Sequence, residues 1–247
     1  MQKEFMQPGF DSRFTHGSKK CSITLNILTL TFNTRNKMTT LQITLDIPIA
    51  RNQIRHLRGL VVERAGQQYD LLHNHRDGRK DQVHYRYPLV QYKVVKGQAT
   101  VMGINEGATL LRSLLDPDKM TFAGDLTVLR YKEACEPMQM TEQPKRYMLR
   151  QWLALNEQNY VRWKEMESEP ERMAELERIL TAHLLAFAAG IGFTVPRPRG
   201  LEVVLEEADA PRRVRCHDGQ LLSFDVVFRA NIALPPDVGI GDRKSVV

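Results

Sequence analysis

The sequence predicts an α+β fold, and three observations carry that prediction. From Met38 onward, stretches of apolar alternation are separated by stretches whose apolar residues recur at three and four positions. Their order in residues 38–135 is strand, helix, two or three strands, helix, strand. That is the split βαβ, ferredoxin-like order, in which one face of the sheet stays open. Residues 145–247 again give strand, helix and strands, with no sequence repeat between the halves. A chain of 247 residues is long enough for two compact domains.

Residues 1–37 mix Gly, Ser, Asn and Lys around one β-prone patch, Ser22 to Phe32, and read as an extension with Met38 as the expected start. Leu41, Ile43, Leu45 and Ile47 line one face of a strand that Pro48 ends. Arg51 to Arg64 reads as a helix with the apolar stripe Ile54, Leu57, Val61 and Val62. Its other side carries Arg51, Arg55 and Arg58, which fits either simple solvation or phosphate contact. Tyr69 to Leu72 is expected to form a short strand. Leu89–Val95 and Gln98–Ile104 pair through a two-residue turn at Lys96-Gly97. Asn105 is expected to cap a helix that buries Leu110, Leu111, Leu114 and Leu115. Met120 to Tyr131 closes this half, with a bend at Gly124-Asp125. Residues 136–144, rich in Pro, Gln and Met, are expected to be the linker.

In the second half, Lys145 to Leu155 reads as a strand and Asn156 to Lys164 as a short helix. Ser168-Glu169-Pro170-Glu171 is a capping box with Pro in the first turn. The helix behind it runs to about Ala189 on a stripe of Leu176, Ile179, Leu180, His183, Leu184 and Phe187. His183, inside that stripe, reads as a satisfied core or interface histidine. Leu201–Glu206, Arg212–Cys216 and Leu221–Leu234 read as strands, with Asp218-Gly219 as a hairpin turn.

The net charge of +6 and the pI near 9.3 favour a polyanionic partner, and the positive excess lies before residue 136. Cys21, Cys135 and Cys216 form no Cys-x-x-Cys pair, which argues against a zinc ribbon or thioredoxin-type site and fits a reducing compartment. No apolar run approaches the ~20 residues that span a bilayer, and the start lacks a signal-peptide pattern. The expectation is a cytoplasmic protein without a membrane partner.

The chemistry concentrates in Leu71 to Lys93. That stretch holds His73, His75 and His84, the cations Arg76, Arg79, Lys80, Arg86 and Lys93, and Tyr85, Tyr87 and Tyr92. Imidazoles move protons, cations bind phosphates and phenol rings stack on bases, which together suit an RNA-handling site. The same residues also fit a polar surface hairpin turning at Asp77-Gly78. On a strand, His73 and His75 would share one face, roughly 6.5 Å apart. One imidazole would then take the proton of an RNA 2′-OH while the other protonates the leaving 5′-oxygen. A zinc pair would want a third ligand, and no metal or other cofactor is expected. Near the end, Gly239-x-Gly241-Asp242-Arg243-Lys244-Ser245 fits a phosphate-approaching loop or a flexible terminus. It meets neither the Walker pattern nor, lacking a following helix, the Rossmann turn.

Read together, LLHNH, YRYPLVQYK, GINEGATLL, WLALNEQNY, LERILTAHLLAFAAGIGF and FRANIALPPDVGIGDRKSV resemble the CRISPR-associated repeat-processing endoribonucleases, in the subtype with paired histidines. The resemblance runs from about Met38 to Val246. It implies two tandem ferredoxin-like domains, 38–135 with the histidine site and 145–247 with the glycine-rich loop. It also implies cleavage of CRISPR repeat RNA without metal, leaving a 2′,3′-cyclic phosphate and a 5′-hydroxyl. The family's catalytic histidines fall on His73 and His75, with His56 as a substitute for one of them. An aromatic hydroxyl falls on Tyr85 or Tyr87. RNA contacts are expected from Arg55, Arg58, Arg76, Arg79, Lys80, Arg86, Lys93, Gly239, Gly241, Arg243 and Lys244. The family pattern continues past the loop as Ser-Val-x-Gly-Phe-Gly and a last strand, whereas this chain stops at Ser245-Val246-Val247, so the second domain is expected to be truncated. Beyond repeat RNA, the expected partners are a CRISPR effector complex and a second copy of the chain. The rival expectation is an RNA-binding protein of the same fold that does not cut. A DNA-binding regulator is a weaker one, since no helix-turn-helix pattern appears.

Overall fold

The computed structural model describes residues 37–73, 75–76, 79–83, 87–197, 200–216 and 219–241, with backbone alone at 75–76, 79–83, 215–216 and 219. The first lobe begins with β1, Lys37–Pro48, followed after a 3-10 turn at Arg51–Gln53 by α1, Ile54–Ala65. A one-turn helix α2, Asp70–His73, leads to the short strands β2, His75–Arg76, and β3, Arg79–Val83. Then come β4, Val90–Val95, β5, Gln98–Ile104, and α3, Glu106–Ser113. The lobe closes with β6, Leu115–Asp116, β7, Thr121–Phe122, and the long β8, Leu126–Pro137. The main sheet is antiparallel in the order β4-β5-β1-β8, extended by β7 and β6. This is the ferredoxin-like arrangement, with α1 and α3 packed on one face. Ile43, Leu45, Leu57, Val61 and Leu111 meet between sheet and helices, each at 2% exposure or less. The turn between β4 and β5 is Lys96-Gly97, both at positive φ, as the hairpin requires.

The second lobe runs β9, Met140–Trp152; α4, Glu157–Glu165; α5, Glu169–Gly190; β10, Val203–Ala208; β11, Arg212–Cys216; and β12, Gly219–Ile232. β12 pairs antiparallel with β9 and, along successive stretches, with β10 and β11. Among the described residues no further strand follows β12. The capping box forms as expected: Ser168 Oγ accepts from Glu171 N–H, and the Glu171 carboxylate accepts from Ser168 N–H. His183 is satisfied by Trp152, whose Nε1 donates to His183 Nδ1 at 3.0 Å.

Three expectations are corrected. Tyr69 to Leu72 is not a strand: an apolar pair between polar residues has no decisive period, and Asp70–His73 turns as a helix so that Leu72 is buried at 2% exposure. Residues 136–144 are not an irregular linker. Nearly all belong to β8 and β9, because Pro137 pairs with Lys37 and Met140 with Ile232, and only Met138 and Gln139 lie between. Met138 is itself buried. Asn105 does not cap α3 with its side chain. Its Oδ1 accepts from Thr39 N–H at 3.0 Å and its Nδ2 donates to the Ile191 carbonyl at 3.1 Å, joining the two lobes. The bend expected at Gly124-Asp125 forms, as a turn at 123–125 that divides the closing stretch into β7 and β8.

The lobes share an apolar core. Met38, Tyr87, Leu89 and Ile104 of the first lobe lie in one cluster with Trp152, Leu180, Phe187 and Phe228 of the second. Each large side chain removed from water contributes about 1.5–3 kcal/mol. The shared core therefore holds the lobes together.

Candidate nucleic-acid interface

Strand β4 exposes two faces of different character. Val90 and Tyr92 point to the helices, and Tyr92 Oη donates to the Leu72 carbonyl at 3.0 Å, tying the end of α2 to the sheet. Gln91 and Lys93 point to the opposite face. Cross-strand partners share a face, so that face carries Gln91 and Lys93 on β4, Met102 and Thr100 on β5, Gln42 and Thr44 on β1, and Lys132 and Arg130 on β8. At the β4 edge it is covered: Gln91 and Thr100 have no exposure and Met102 has 2%. Residues of the terminal loop lie there. Lys93 Nζ donates to the Asp237 carbonyl, Gly239 N–H donates to Gln91 Oε1 at 3.0 Å, and Tyr87 Oη donates to the Gly239 carbonyl at 2.5 Å. At the β8 end Arg130 and Lys132 are exposed.

The loop anchors have altered acidity. Burial pushes the Tyr87 phenol up, against the smaller opposing pull of its hydrogen bond from Gln91. Burial lowers the Lys93 ammonium to about 8, with Asp237 pulling it back up. A phenol held protonated, its one proton given to a carbonyl, is poorly suited to serve as a proton donor to RNA. Lys93, engaged on the loop backbone, acts as a loop anchor in this structure.

His73 and His75 do not share a strand face. His73 ends α2 and is 9% exposed, and its Nε2–H donates to the Gln67 carbonyl at 2.9 Å. His75 begins β2, where its backbone pairs with Val83. The intended two-residue spacing fails because the chain changes from helix to strand between them. Arg58 donates to the His73 carbonyl, so the cationic side of α1 meets the end of α2 there, while Arg55 and His56 remain exposed on α1. Arg76 lies in β2, and Arg79 and Lys80 lie in β3. Gly241 follows the anchored Gly239 at the loop entrance. Tyr85, Arg86, Arg243 and Lys244 lie outside the described residues.

Sequence reasoning passed over three members of this surface. Gln91, a lone amide in an apolar strand, signalled a buried polar partner. Arg130 and Lys132 alternate along β8, which put both on one face.

Several solved structures share this fold. One described as Cas6b is 22% identical with a TM-score of 0.69, covering 85% of this chain and 95% of that one. Another, described as the CRISPR RNA processing endoribonuclease Cas6b, is 20% identical with a TM-score of 0.63 over the same shares. Csf5, a CRISPR-Cas type IV Cas6 crRNA endonuclease, is 12% identical with a TM-score of 0.51, covering 83% of this chain and 98% of that one. At these identities the likeness is one of fold. A comparison with curated proteins finds no match. The family is carried by the sequence itself: the Cas6b N-terminal domain matches residues 34–136 and the Cas6b C-terminal domain matches residues 139–246. The two matches leave only Pro137 and the buried Met138 between them, where β8 passes into β9, and together they take in both lobes and the terminal loop: the chain belongs to the Cas6b family.

Proposed function

We propose that this chain cleaves CRISPR precursor RNA within its repeats to release guide RNAs. As a member of the Cas6b family it is an RNA endonuclease of CRISPR RNA processing. The reading of its chemistry is attack by the 2′-OH on the adjacent phosphate, leaving a 2′,3′-cyclic phosphate and a 5′-hydroxyl, without metal. The observation that supports it most is the meeting of the glycine-rich loop with the strand that leaves the histidine segment.

His75 is the first candidate for proton transfer at the 2′-OH or the leaving oxygen. His73, spent on Gln67, is better suited to shaping the segment, and exposed His56 is its substitute for the second transfer. Cations at Arg76, Arg79 and Lys80, with Arg130 and Lys132 at the exposed β8 end of the sheet, would take up phosphate charge. The product RNA would remain available to a CRISPR effector complex, and association with a second copy belongs to the same reading.

The burial of His73 favours a second reading, a repeat-RNA-binding protein that does not cut. Labelled repeat RNA incubated with the protein in EDTA separates the two, alongside the same RNA carrying a 2′-deoxy group at the cut position. Cleavage of the first RNA alone, with a cyclic phosphate end, is the expected result. Binding without cleavage would establish the second reading, and cleavage of both RNAs would overturn the 2′-OH mechanism.

A further inference from the structure

The chain that leaves the histidine segment and the chain that enters the glycine-rich loop meet at Tyr87, Gln91 and Gly239. Tyr87 is the first described residue after the segment, and Gly239 is the first glycine of the loop. Three hydrogen bonds close a ring among them. Gln91 Nε2 donates to Tyr87 Oη at 2.6 Å, Tyr87 Oη donates to the Gly239 carbonyl at 2.5 Å, and Gly239 N–H donates to Gln91 Oε1 at 3.0 Å.

We infer that Tyr87 and Gln91 are positioning residues, whose ring on the Gly239 peptide fixes where the glycine-rich loop begins relative to where the histidine segment ends. The inference rests on the cleavage reading above and adds the side chains that hold the two parts of the site in register.

The ring is selective because each member uses a different hydrogen-bonding capacity. The Gln91 amide both accepts and donates, so a carboxylate or an apolar side chain at 91 breaks at least one bond. Tyr87 is needed as donor to one group and acceptor from another. A one-residue shift of the loop leaves buried polar groups unmatched, which is costly without water to replace the partner. The frame around the ring is stiff. The Phe187 ring meets Tyr87 edge-on at 5.2 Å, and Gly190 lies so close that a Cβ there would strike Tyr87. On either side of Gly239, Asp237 is held by Lys93, and Ile240 is 5% exposed in the shared core. Misplacement by about 1 Å at a reacting phosphate can cost ~10²-fold in rate, so anchoring of this kind acts on the chemical step more than on affinity.

The test uses the full chain carrying Tyr87→Phe or Gln91→Met, beside Ile179→Val, a core trim that removes none of the ring's hydrogen bonds. Repeat-RNA affinity, the single-turnover rate at saturating RNA, melting temperature and hydrogen exchange at the Gly239 amide are measured for each. Both ring variants are expected to lose at least about tenfold in saturated rate, with a smaller change in affinity and faster exchange at Gly239. Ile179→Val is expected to melt earlier and keep its rate. The inference is overturned if the ring variants keep the wild-type rate, or if Ile179→Val, at an equal drop in melting temperature, loses as much rate. If the wild-type chain does not cut repeat RNA, the cleavage reading fails by itself. The anchoring is then judged on exchange at Gly239, and protection unchanged in both variants refutes it.

Discussion

His73 and His75 stand two positions apart in the chain but belong to different elements, so their substitutions should separate. His73→Ala removes a buried ring and its bond to the Gln67 carbonyl, and should lower stability by at least about 1 kcal/mol. His75→Ala should leave melting nearly unchanged while cleavage falls by about 10²–10⁴-fold, the usual worth of a positioned acid or base. Thermal unfolding and single-turnover cleavage of both variants check this. Equal melting losses, or an active His75→Ala, would remove the assignment. Sequence alone marked this segment through its residue types, but not that His73 is buried. Its place is fixed by Arg58 and Gln67, which lie outside that segment. Tyr87 illustrates the same limit: its residue type suggested chemistry, while its surroundings make it an anchor.

Among the elements, α5 carries an ion-pair cluster whose pH response has a definite sign. Arg178 donates to both oxygens of Glu175 at 2.7 Å, and Arg162 of α4 reaches Glu175 at 3.5 Å. The hydrogen bonds from Arg178 hold the Glu175 carboxyl below the usual carboxylate range. The folded chain thus keeps Glu175 ionised to lower pH than the unfolded chain does. The stabilisation is complete above the ordinary carboxylate range and fades as pH falls through the folded value. Wild type should exceed Glu175→Gln in melting temperature at neutral pH, and the gap should shrink on acidification. A gap independent of pH would contradict the pair's role. The elements themselves were largely legible, since α5 announced its start with Ser168-Glu169-Pro170-Glu171 and its face with Leu176, Ile179, Leu180 and Leu184. The stretch around Pro137 misled because Pro usually interrupts a strand and the Gln and Met residues near it show no clear alternation. Here both flanking strands are held by long-range partners, Lys37 for Pro137 and Ile232 for Met140, which no local pattern displays.

For the molecule as a whole, the exposed cations at the β8 end of the first sheet should make RNA affinity salt-dependent. Replacing Arg130 and Lys132 together by Ala should weaken binding across RNA sequences. It should also make the slope of log affinity against log salt shallower, by about 0.7 for each single-strand phosphate that the protein no longer neutralises. Filter binding over a salt series reads that slope, and an unchanged slope would take these two residues out of the interface. The shared core has a different effect. Parting the lobes would bring Met38, Tyr87, Leu89 and Ile104 into water together, so the lobes do not work as jaws. An arriving RNA meets two lobes already fixed to one another.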